Sequence, residues 1–75
     1  MNWFSIFSAV LAALATGQVS FKIAGKYEVS VNSVSGPPVH LTVAAAFLAV
    51  EKIVAGQTGT FQSGDINVTI APITA

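Results

Sequence analysis

The stretch VSFKIAGKYEVSVN, residues 19–32, alternates apolar and polar side chains more strictly than any other part of the chain. Val19, Phe21, Ile23, Tyr27, Val29 and Val31 stand at odd positions, while Ser20, Lys22, Lys26, Glu28, Ser30 and Asn32 stand at even ones. Successive side chains of a strand point to opposite faces, so this period of two predicts β-structure with one buried and one wet face. The parity survives Gly25. Two arrangements preserve it: one long strand bent at Gly25, or a hairpin whose loop holds an odd number of residues. A two-residue Gly25-Lys26 turn would instead set Ile23 opposite Glu28 and mix the faces. The even face, with Lys22, Lys26 and Glu28, reads as solvent-exposed and only weakly paired.

Towards the N-terminus the period changes to 3.6. Residues 1–17 carry no charge, and the first Lys or Arg is Lys22. Trp3, Phe7, Val10 and Leu14 follow one helical stripe, widened by Phe4, Ile6 and Leu11. Ser5, Ser8, Ala9, Ala12 and Ala13 form the other side. Asn2 is the expected N-cap and Gly17 the expected stop. A helix of about 14 residues reaches roughly 21 Å, short of the roughly 30 Å hydrocarbon core of a bilayer. Ala13-Leu14-Ala15 resembles a signal cleavage site, but the charged n-region is missing. The block therefore reads as a retained packing helix. Contact with lipid through Trp3 and Phe4 is the alternative. Ser5, Ala9 and Ala13, four residues apart, would let another backbone approach closely.

Towards the C-terminus, Ser35-Gly36-Pro37-Pro38 ends the strand and predicts a second helix over about Val39–Ala55 with proline in its first turn. Val43, Phe47, Val50 and Val54 share one face, Leu41, Leu48 and Ile53 lie elsewhere, and Ala44, Ala45, Ala46 and Ala49 fill the gaps. A helix apolar nearly all round is expected to be buried on more than one side. Glu51 and Lys52 weaken a transmembrane reading, and Gly56 closes the helix. After a loop at Gln57–Gly59, Ile66, Val68 and Ile70 alternate with Asp65, Asn67 and Thr69, and a Ser63-Gly64 turn would put Phe61 opposite Ile66. Pro72 suits a strand end or edge. No internal repeat is legible in the residues, although the helix-then-strand order occurs twice.

The fold expected is a small single α+β domain: an N-terminal apolar helix (residues 1–17) ahead of an α+β unit (residues 18–75) made of a long strand or hairpin, a second apolar helix and a C-terminal strand or hairpin. Chains of about this length bury only about 60% of their unfolded surface. Their usual supports are disulfides, metals or partner chains. Cys is absent and His40 is the single imidazole, which leaves oligomerisation to complete the core. Only 8% of residues are charged, against about 25% in an ordinary soluble domain, and 53% are apolar.

Those totals also bound the function. A net charge of zero without any Arg disfavours nucleic-acid binding. His40 could act as a base only with a nucleophile and an orienting acid, roles for which Ser35 and Glu51 are weak candidates. Glu28, Glu51 and Asp65 lack ligand spacing, so neither a metal nor another cofactor is expected. Gly25-Lys26 lacks the rest of a phosphate loop, and Asn67-Val68-Thr69 matches a glycosylation triplet inside a predicted strand. No small-molecule substrate follows from any of these. The expectation is a non-enzymatic structural subunit of a large homo-oligomer, most concretely a small phage capsid or tail component located in the virion. Its partners would be its own copies and other structural proteins of the same assembly. Trp3, Phe7, Val10, Phe21, Phe47 and Val50 are the candidate interface residues, with the alternating strand pairing edge to edge between copies. A membrane-active protein of holin-like or bacteriocin-like character, located in the membrane, is the first alternative. A secreted fimbrial or adhesin-like module is the second.

Overall fold

The parity of residues 19–32 is kept by a hairpin. In the computed structural model, which describes residues 3–73, β1 (Ser20–Ile23) and β2 (Tyr27–Ser33) pair antiparallel with Ile23 opposite Tyr27. The loop is Ala24-Gly25-Lys26. Ala24 and Gly25 take φ of 52° and 68°, and the Lys26 N–H donates to the Ile23 carbonyl at 2.9 Å. Two successive left-handed residues match the right-handed twist of the flanking strands, as in a type I′ turn. The bent single strand is thereby excluded.

Helix α1 (Trp3–Thr16) forms where the 3.6 period places it. Its end is a Schellman motif: Gly17 takes φ 64°, its N–H donates to the Leu14 carbonyl, and the Gln18 N–H donates to the Ala13 carbonyl. The expected cap, Asn2, lies outside the described residues. The buried stripe is rotated from the expected one. Ile6, Val10 and Ala13 are buried, whereas Trp3, Phe4 and Leu11 are exposed and Phe7 and Leu14 half-buried. The small side chains Ala9 and Ala13 allow α1 to lie close over the sheet, which turns the larger ones outward.

The second helix starts later than expected. Helix α2 (Val43–Val54) is capped by Thr42, whose backbone is extended and whose hydroxyl accepts from the Ala45 N–H at 3.2 Å. Residues 37–41 are held extended by other bonds. The Ser33 N–H donates to the Pro37 carbonyl, the Val39 N–H to the Val31 carbonyl, and the Leu41 N–H to the Gln18 carbonyl. This segment takes over the border of β2 just beyond the reach of β1. Helix α2 buries Ala45, Ala46, Ala49 and Ile53, while Val43, Phe47 and Val54 remain exposed. It packs against both α1 and the sheet, and only the side carrying Val43, Phe47 and Val54 is left uncovered. Gly56 at φ 74° ends it with the same motif as α1, its N–H donating to the Ile53 carbonyl and that of Gln57 to the Lys52 carbonyl.

Strands β3 (Gly59–Ser63) and β4 (Ile66–Pro72) form the second hairpin. Its turn is Gly64-Asp65 rather than Ser63-Gly64, so Ser63 faces Ile66 and Phe61 faces Val68. Gly64 has φ 64° and Asp65 does not share the positive sign, which is the type II′ pattern with glycine first. The requirement for a residue that tolerates positive φ at that position sets the register.

All pairings are antiparallel and the sheet order is β1-β2-β4-β3. Both helices cover one face, where Ile23, Val29, Val31, Val68 and Ile70 are fully or almost fully buried. The molecule is an α+β fold in which helix, Gly-Gln cap and hairpin occur twice. Gly17 and Gly56, Gly25 and Gly64, and Tyr27 and Ile66 are all separated by the same interval. The same shift exchanges the pair Val29 and Ile70 with the pair Val31 and Val68, and maps Ser30 and Thr69 onto themselves. A pseudo-two-fold axis therefore passes between β2 and β4. The residues conceal it because Ile6, Phe7 and Val10 correspond to Ala45, Ala46 and Ala49, and because one hairpin loop is a residue longer than the other.

Candidate functional site

The helical layer, on its side away from the sheet, presents large apolar groups to solvent. Trp3, Phe4 and Phe47 are 56%, 74% and 68% exposed, and Leu11, Val43 and Val54 are about half exposed. Between the helices runs a groove of about 180 Å³ lined by Phe7, Val10, Leu11, Leu14, Val43, Ala46, Phe47 and Val50. None of these side chains is polar. The helices run antiparallel along it, since Leu14 and Val43 meet at one end while Trp3 and Val54 share a neighbouring cleft at the other. The Trp3 and Phe7 rings stack with centroids 5.0 Å apart and planes 14° from parallel.

Of the six candidate interface residues, Phe7, Val10, Phe47 and Val50 come together in this groove, with Trp3 alongside through its stack on Phe7. Val10 is buried at the groove floor and Val50 is half-buried against the core. Phe21 is elsewhere. It lies on the inward face of β1, half-buried beside Ala9 and Ala13 in a cleft of about 390 Å³ at the margin of α1. Leu11, Leu14 and Val43 complete the groove. Their signal was present in the helical spacing, Phe7-Leu11-Leu14 and Val43-Phe47-Val50, but the facing of one stripe towards the other is set by the packing of both helices on the sheet.

No family model, curated protein or solved structure matches this chain.

The opposite side of the sheet is polar. Ser20, Ser30, Thr69 and Thr60 stand in one row across all four strands, and Asn32, Asn67 and Gln62 in the next. The Thr60 and Thr69 hydroxyls are 3.1 Å apart. Lys22 faces Glu28 across the first hairpin. Lys52, half-buried in the last turn of α2, places its ammonium 4.9 Å from the Phe61 ring centre, a cation–π contact worth about 0.5–1 kcal/mol.

His40 is exposed in the extended segment before α2, three residues ahead of the helix at whose start it was expected. The Ser35 hydroxyl lies 2.6 Å from that of Ser33. Among the described residues there is no group of three or more His, Cys, Asp or Glu that could hold a metal ion. Also among them, no helix is long and apolar enough to cross a membrane.

The alternating stretch offers an edge only through β1, its first half. β2 is bordered by β1 and residues 37–39 on one side and by β4 on the other. The open borders of the sheet belong to β1, which carries Lys22, and to β3, whose sequence GTFQS has no charge. Charged side chains on an edge discourage pairing with other chains, so β3 is the less guarded of the two.

Proposed function

We propose that this protein is a non-enzymatic structural subunit that assembles with its own copies, most concretely as a small capsid or tail component of a phage virion. One observation carries the reading: an uncharged groove flanked by exposed Phe4, Phe47, Leu11 and Val43 spreads across both helices of a 75-residue chain. Apolar patches on ordinary monomers seldom exceed a few hundred Å², and larger ones mark interaction surfaces. A single contact surface closes a pair, so growth into a larger body needs another. The uncharged β3 border supplies it, opposite the border formed by β1 of the alternating stretch.

The test is the particle mass in native extract, compared between the wild type and Phe47→Asp. The wild type is expected in a body many times the 7.7 kDa of one chain, and Phe47→Asp as small, folded species. Phe47 suits this better than Val50, because Val50 also packs on the core and a charge there would unfold the chain. Normal assembly of Phe47→Asp would remove the helical face from the mechanism.

A membrane-active role is favoured by a different observation, the clustering of Trp3 and Phe4 at the start of α1, both more than half exposed. Such residues anchor helices lying in an interface. Carbonate-resistant sedimentation with membranes and dye release from liposomes separate the two, since an assembly subunit shows neither.

A further inference from the structure

Resting on the assembly reading, the geometry points to the occupant of the groove: a second copy of this chain, docked by its own helical layer about a two-fold axis, with Phe47 of each copy entering the groove of the other. Three features bear on the choice of occupant. The groove presents no charge or hydrogen-bonding group, so what fills it is apolar. Its size fits one ring, since an apolar cavity of about 150 Å³ accommodates benzene and this groove holds about 180 Å³. A ring of that kind stands at its rim, because Phe47 is 68% exposed.

The area is sufficient for a stable pair. At about 200 Å² for a whole aromatic side chain, the exposed parts of Trp3, Phe4 and Phe47 amount to roughly 400 Å². Leu11, Val43 and Val54, each about half exposed, raise this to roughly 550 Å² per copy at the usual transfer areas of aliphatic side chains. Complete burial of these parts in both copies would remove roughly 1,100 Å² from water, about the 1,000 Å² at which specific interfaces begin. A two-fold contact of this kind closes on itself, leaving the β3 borders of the pair free for growth.

The chain has no Cys, so single cysteines report proximity without background. The experiment combines sedimentation of the wild type with cross-linking of Val43→Cys, Leu11→Cys and Thr60→Cys by a short bis-maleimide. All three positions are exposed, so each variant is expected to fold. A wild type that sediments as a dimer or an even multiple, with efficient cross-linking at Val43→Cys or Leu11→Cys, is the expected result. Phe47→Asp should then weaken pairing by more than about tenfold while keeping the wild-type circular dichroism. Cross-linking confined to Thr60→Cys, with Phe47→Asp still assembled, overturns the helical pair but leaves assembly through the sheet border standing. A wild type that is monomeric in buffer and associates only with phosphatidylcholine vesicles overturns both.

Discussion

Individual residues carry the local geometry, and three of them give direct measurements. Thr42 both ends the extended segment and caps α2 through its hydroxyl. Thr42→Ala is expected to cost about 1 kcal/mol, seen as a lower urea midpoint with an unchanged slope. Ala24 is the one residue other than glycine at positive φ among those described. Left-handed backbone costs an ordinary L-residue roughly 1–2 kcal/mol, and asparagine tolerates it better. Ala24→Asn, which creates an Asn-Gly turn, is therefore expected to raise the midpoint, by about 0.5–1 kcal/mol in stability. At the polar face, Lys22→Gln and Glu28→Gln should each change stability by less than about 0.5 kcal/mol, because exposed pairs contribute little.

At the scale of elements, α2 packs inward mainly through alanines, whereas α1 uses Ile6 and Val10 beside Ala13. Ala45 and Ala49 are fully buried, and Ala13 nearly so. Their methyl groups set how closely the helices sit over Val29, Val68 and Ile70. Ala49→Leu should therefore destabilise by about 1–3 kcal/mol through overpacking, although leucine is a good helix former and apolar. Ile70→Ala at the centre of the sheet should cost about 2–5 kcal/mol by opening a cavity. Both are checked by equilibrium denaturation. A chain of this length has only roughly 4–11 kcal/mol of stability in total, so the second change brings it near the limit of folding. The alanines also explain why the largest side chains of α2 face outward. Val43, Phe47 and Val54 are large, and the space beneath α2 is not.

At the scale of the whole molecule, the proposed pairing through the uncovered apolar face predicts that association contributes to stability. Binding that favours the folded state raises the apparent Tm with concentration. The wild type is expected to melt higher as its concentration increases, whereas Phe47→Asp should melt at one temperature throughout. Calorimetry across a hundredfold concentration range checks this, and an invariant wild-type Tm would count against self-association. The repeated helix and hairpin make the same point structurally. The two halves meet through β2 and β4 about a pseudo-two-fold axis, so the chain already uses two-fold complementarity to build its own sheet.

Much of the fold was legible in the residues because it is governed by short-range chemistry. The period of two in residues 19–32, the 3.6 period of residues 3–16, the stops at Gly17 and Gly56 and the punctuation at residues 35–38 depend only on neighbours a few positions away. Parity at Gly25 excluded a two-residue turn but left a bent strand and an odd-loop hairpin open, since only a slip of one residue would have turned every apolar side chain to water. The candidate groove was legible in part: Phe7, Val10, Phe47 and Val50 were identifiable as apolar helical positions, but nothing in their spacing separates them from Phe21. Tertiary structure alone decided which stripe of each helix faces inward, how residues 37–41 extend along β2, that Gly64 takes the first rather than the second place in the second turn, and that β2 is interior. The reason is that burial is collective. A helix turns towards the sheet the face that permits the closest fit of all the others, and in α2 that face is lined mainly by alanine.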